Sequence, residues 1–120
     1  MHPIRSLVIG SVVLTGCIAA APAEVAPDPA VAAKVRQLSD GNSCSDRIAG
    51  VLTAYRIGAG QIADVSISSV TRRNGSSLDV QRQAWVKMAT GGNVVLRFDP
   101  SLCRIATIYA RDGAVLPAAG

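Results

Sequence analysis

Residues 64–98, DVSISSVTRRNGSSLDVQRQAWVKMATGGNVVLRF, decide the fold. Apolar side chains recur at every second position. Val65 and Ile67 alternate with Asp64, Ser66 and Ser68. Leu78, Val80, Ala84, Val86 and Met88 then hold the even positions, and Val94, Leu96 and Phe98 do the same. A period of two is the mark of a half-buried strand. Asn74-Gly75 is a two-residue hairpin signal, and Thr90-Gly91-Gly92 is the next turn. Asp99-Pro100-Ser101 turns the chain again, Leu102 to Arg111 reads as a last strand, and Asp112-Gly113 ends it.

These turns predict a register. An Asn74-Gly75 turn sets Val65 opposite Ala84 and Thr71 opposite Leu78. A Thr90 to Gly92 loop sets Met88 opposite Val94 and Ala84 opposite Phe98. A Pro100-Ser101 turn sets Phe98 opposite Cys103 and Leu96 opposite Ile105. Opposed residues share a face, so one continuous apolar face results.

Working outward, Ser43 and Asp46 form an S-x-x-D helix start. Ile48, Val51, Leu52 and Tyr55 follow at helical spacing, and Gly58 and Gly60 can end the helix. The expected architecture is α+β: one main helix, Ser43 to Ile57, packed on a four-stranded antiparallel meander. PepSY-like and cystatin-like modules share this layout, but no defining motif of either is present. Ile18 to Ala33 is rich in Ala, Pro and Val and reads as a spacer. Val31, Val35 and Leu38 are also spaced for a short helix from Ala30 to Leu38, before Asp40-Gly41-Asn42 breaks the chain. The expected organisation is residues 1–16 as signal peptide, 17–40 as tether, 41–116 as domain and 117–120 as tail.

The N-terminus reads as an address. Met1 to Arg5 is a short positive region, and Ser6 to Gly16 is an uncharged apolar stretch too short to span a bilayer. Leu14-Thr15-Gly16-Cys17 resembles the lipobox of bacterial lipoproteins. The resemblance implies a diacylglycerol thioether on Cys17, cleavage before it and N-acylation. Ile18 in the next position favours the outer membrane, with the domain in the periplasm. Ala21-Pro22-Ala23 offers a second site, where ordinary signal peptidase would release a soluble periplasmic or secreted protein beginning at Glu24.

Lipidation consumes Cys17 and plain cleavage discards it, so Cys44 and Cys103 remain in either case. In an exported chain they are expected to form a disulfide. No C-x-x-C motif points to redox work, and the only histidine is His2. The mature chain therefore lacks histidine triads, histidine bases and zinc–histidine sites. Aromatic residues make up 3% of the chain, which argues against base-stacking platforms and most cofactor boxes. The net charge of +4 is dispersed, unlike the clustered charge of a nucleic-acid binder. No cofactor, metal or nucleic-acid partner is expected.

The predicted outer sheet face carries Asp64, Ser66, Ser68, Gln81, Gln83, Trp85, Lys87, Val95, Arg97, Arg104 and Ile108. The register sets Trp85 opposite Arg97, and Arg97 opposite Arg104. Trp and Arg are enriched at binding hot spots, so Trp85, Arg97 and Arg104 form the candidate binding face; a merely solvated face is the competing reading. Arg82 is a misfit on the apolar side, opposite Ile67. It can snorkel, pair with an acid or mark a bulge. Asn74-Gly75-Ser76 formally matches a glycosylation acceptor and is read as hairpin chemistry. The acids gather no catalytic set. The function expected is a non-catalytic, lipid-tethered binding or assembly module of the cell envelope, with an envelope protein or anionic polymer as partner. A soluble small binding or inhibitor protein is the alternative, and a small enzyme is the third reading.

Overall fold

The computed structural model describes residues 21–120; the signal-peptide and Cys17 readings lie outside the described residues. Two helices, α1 (Pro29–Leu38) and α2 (Ser45–Ala54), precede β1 (Ile62–Asn74), β2 (Ser77–Met88), β3 (Asn93–Phe98) and β4 (Ile105–Arg111). The strands form one antiparallel sheet in the order β1-β2-β3-β4. The fold is thus α+β with a four-stranded meander, as expected, but two helices rather than one cover it.

α1 matches the short helix read over Ala30 to Leu38 and begins within the stretch read as spacer. Asp28 Oδ2 accepts from the backbone N–H groups of Ala30 and Val31, both at 3.2 Å, and Pro29 occupies the first turn, where no amide hydrogen is needed. Val31 and Val35, four residues apart, are fully buried. The helix ends with Asp40 in the left-handed region, where Asp40 N–H reaches Gln37 O and Gly41 N–H reaches Arg36 O. Two apolar contacts at one helical spacing outweighed the prolines, which sit at or before the first turn.

α2 starts later than its Ser43 signal. Cys44 is the N-cap and makes no side-chain cap. Asn42 forms the turn instead: its Oδ1 accepts from Cys44 N–H at 2.9 Å and its carbonyl accepts from Ser45 N–H at 3.0 Å. The helix also ends before the glycines. Arg56 takes the left-handed conformation, and Ile57 N–H closes back on Leu52 O. Ile48, Val51 and Leu52 are buried as the stripe predicts, with Tyr55 packed at the edge of the core. Burial of each large aliphatic side chain is worth about 1.5–3 kcal/mol.

The observed registers depart from the expected ones in an orderly way. The first hairpin turns at Gly75-Ser76, so Val65 faces Val86 and Ile67 faces Ala84. Gly75, at φ +66°, supplies the positive φ that a primed hairpin turn requires. The second loop runs from Met88 to Gly92, so Ala84 faces Leu96 and Val86 faces Val94. Both changes move the pairing by two residues, which preserves the faces.

The third connection does not. Phe98 pairs with Ile105, but a bulge between Arg97 and Phe98 makes Arg97 pair with Thr107 and Leu96 with Ile108. Beyond the bulge the predicted faces of β4 are exchanged, and Ile108 belongs to the helix side rather than the outer face. Cys103 lies in the turn before β4, at φ +58°, not opposite Phe98.

Cys44 and Cys103 form a disulfide that ties this turn to the start of α2. Leu78 and Val80 share the parity of Ala84 and Val86 but are 59% and 49% exposed. Pairing between β2 and β3 begins at Arg82, so the tip of the first hairpin extends past β3 and leaves these two side chains exposed.

Candidate binding face

The core consumes the helix-facing side of the sheet. On the other side, side chains line up across the strands in rows. One row is Asp64, Lys87, Asn93 and Arg111. The next is Ser66, Trp85, Val95 and Tyr109. The third is Ser68, Gln83, Arg97 and Thr107. Asp64, Ser66, Ser68, Lys87, Thr107 and Arg111 are exposed, and Trp85, Gln83, Arg97 and Tyr109 are half-buried. Val95 is fully buried although it stands on this face, outside the core cluster. Its two cross-strand neighbours, Trp85 and Tyr109, are the large side chains placed to cover it.

Trp85 does not face Arg97. Its cationic neighbour is Arg111, whose guanidinium carbon lies 5.2 Å from the ring centroid, a contact worth about 0.5–1 kcal/mol at an exposed site. The indole N–H donates to Gln83 Oε1 at 3.3 Å. Arg97 lies between Gln83 and Thr107, and its Nε is buried without an acceptor. Arg104 is not part of this group: it precedes β4, is exposed, and its backbone carbonyl accepts from Asp99 N–H at 3.1 Å. Trp85 and Arg97 are thus brought to one surface, in neighbouring rows, and Arg104 is left at the disulfide end of the molecule. Sequence reasoning missed Arg111 and Tyr109, because both places depend on the β-bulge.

Lys87, Arg97 and Arg111 outnumber Asp64 in these rows, which gives the face a cationic character. It offers amide, hydroxyl and guanidinium donors around a flat aromatic centre.

The opposite side of the molecule is covered by the chain itself. At about 100° per residue, Gly50 and Thr53 lie on the flank of α2 away from Ile48 and Leu52. The segment before α1 runs along this flank. Val25 N–H donates to Gly50 O at 3.3 Å, Asp28 N–H donates to Thr53 Oγ1 at 3.1 Å, and Ala23 N–H reaches Tyr55 Oη at 3.4 Å. Glu24 accepts from Arg47 through both carboxylate oxygens, and this hydrogen bonding raises the Arg47 pKa. Gly50 is required by the crossing, since a Cβ there would lie 2.6 Å from Val25 O.

Near the disulfide, Asp99 Oδ1 accepts from both the N–H and the hydroxyl of Ser101, each at 2.9 Å. The backbone donor, followed by the hydroxyl, holds the Asp99 pKa below its ordinary value. Among the described residues no three His, Cys, Asp or Glu side chains gather as a metal site, and no helix is long and apolar enough to cross a membrane. In comparisons with known proteins, the chain matches no family model, no curated protein and no solved structure.

Proposed function

We propose that this protein is a lipid-anchored, non-catalytic binding module of the bacterial cell envelope, which presents the sheet face around Trp85 and Arg97 to an acidic partner. The observation that carries the reading is the layering of the molecule. The segment leading back towards Cys17 is fastened to the outer flank of α2, and the Trp85 rows lie on the other side of the sheet. Ala21 is only four positions along the chain from Cys17, a reach of at most about 14 Å. An anchor on Cys17 would therefore hold the helix side near the bilayer and turn the Trp85 face away from it. The spacer is then much shorter than its composition suggests, because α1 and the strap before it belong to the packed domain.

Acyl chains on Cys17 would supply the membrane affinity, since two or more chains hold a protein stably where one does so only marginally. The partner is an envelope protein or an anionic polymer, drawn by Lys87, Arg97 and Arg111. Release by cleavage after Ala23 is the second reading. It is favoured by the fact that Glu24, which such a cut would leave first, already makes the two-pronged contact with Arg47.

Photo-crosslinking in the native host tests the proposal. A crosslinker at exposed Ser68 should capture an envelope component, and Trp85→Ala and Arg97→Ala should abolish the capture. Equal capture by a crosslinker on the exposed Asp46 of α2, or capture that survives both substitutions, would overturn it.

A further inference from the structure

Arg82 stands on the helix-facing side of β2, in line with Ala84 and Val86. Neither a bulge nor an acidic partner accounts for it, and the side chain is only partly exposed. The strand is regular there, with Arg82 paired to Ser69 and to Phe98. Among the described residues no carboxylate pairs with it, and its Nε is buried without an acceptor. Asp99, which follows Phe98 in the chain, accepts from Ser101 through Oδ1 and forms no ion pair with Arg82. A buried donor left without an acceptor is destabilising, and more so on a charged group.

Beside Arg82 is a cavity of about 100 Å³, lined by Asn42, Ser43, Cys44, Arg82, Phe98 and Pro100. One water needs only about 10–15 Å³ of cavity, so a group of several atoms has room. No acidic side chain lines it. Asn42 Oδ1 is occupied by Cys44 N–H, which leaves the Asn42 amide hydrogens as donors, and Ser43 adds a hydroxyl. The lining thus combines one guanidinium with further neutral donors, and Phe98 forms an apolar wall.

We propose that this cavity is a binding site for a compact oxyanion, a carboxylate or phosphate group, held by the Arg82 guanidinium with the Asn42 amide and the Ser43 hydroxyl. A planar fork of N–H donors matches two oxygens of such a group. The site lies on the helix side of the sheet, apart from the Trp85 face, and stands or falls independently of it. Because the disulfide fixes Cys44 against the turn before β4, the wall formed by Asn42 to Cys44 is held in place by the covalent bond. Oxidised protein should bind more tightly than reduced protein.

The test is NMR titration of the oxidised mature protein with sodium phosphate and, separately, sodium acetate, against sodium chloride at equal ionic strength. The Arg82 Nε–H and the Asn42 side-chain amide should shift saturably with phosphate or acetate and not with chloride. The salt that saturates the site identifies the group. Arg82→Lys keeps the charge but loses the fork and should weaken binding by roughly tenfold or more; Arg104→Gln should leave it unchanged. Arg82→Gln should abolish it, with the melting transition and the intact disulfide confirming the fold. Should Arg82→Gln fail to fold, the wild-type Arg82 Nε–H signal and Arg82→Lys decide the matter. Absence of a saturable shift in wild type, or an undiminished shift in Arg82→Lys, would overturn the proposal.

Discussion

Replacing both Cys44 and Cys103 with alanine is the most informative perturbation of stability. The bond joins residues 59 apart. On the chain-entropy account, closing such a loop removes about 4 kcal/mol of unfolded-state freedom. For a domain of this size each kcal/mol moves the melting midpoint by roughly 4–8 °C, so the double variant should melt roughly 16–32 °C lower. Cys44 is buried, and alanine avoids the unsatisfied hydroxyl that serine would place there. Position 103 offers an internal check, because its backbone is left-handed at φ +58°. In the background without the bond, glycine at 103 should be more stable than alanine by about 1 kcal/mol. Urea unfolding followed by circular dichroism measures both quantities. A loss below about 1 kcal/mol for the double alanine variant would refute the reasoning, since it would mean that the loop is already closed by structure in the unfolded chain.

Three further outcomes follow from the packing. Gly50→Ala brings a methyl group to 2.6 Å from Val25 O and should cost about 1–3 kcal/mol; hydrogen exchange should report loss of protection at Val25 and Asp28, with the sheet unaffected. Leu52→Ala should cost about 2–5 kcal/mol, whereas Leu78→Ala, at a residue 59% exposed, should stay within about 0.5 kcal/mol, a contrast that chemical denaturation resolves. Asp99 has a lowered pKa because Ser101 donates to its carboxylate. Its contribution is therefore present above the ordinary carboxylate value near about 4 and is lost as the pH falls through the lower folded value. Wild type should exceed Asp99→Asn in stability at pH 7, and the two should converge in strong acid.

Alternation of side chains made the sheet legible, because period two survives any slip of two residues. The hairpin turned at Gly75-Ser76 instead of Asn74-Gly75, yet Val65, Ala84 and Val86 still reached the core. A bulge has no such protection. The extra residue near Arg97 and Phe98 reversed the faces of β4, moving Ile108 inward and bringing Tyr109 to the outer face. No local residue type announces that bulge, and the Trp85 surroundings depend on it. α1 was legible only as a short helix within a tether: the spacing of Val31, Val35 and Leu38 marked it, but that it packs into the core is set by Val31 and Val35 meeting partners distant in sequence. Arg82 was visible as an anomaly from its place in the alternation. Only the folded chain brings Asn42 and Ser43 beside it.

The proposed role depends on where the chain is processed and what it then carries. Intact mass of the mature protein from its native host, extracted from membranes and measured with and without reductant, tests this most directly. A chain beginning at Cys17 with acyl chains attached is expected, gaining about two hydrogens on reduction as the Cys44–Cys103 bond opens. A chain beginning at Glu24 without lipid would contradict the anchored reading and leave a soluble domain with a free N-terminal strap across α2.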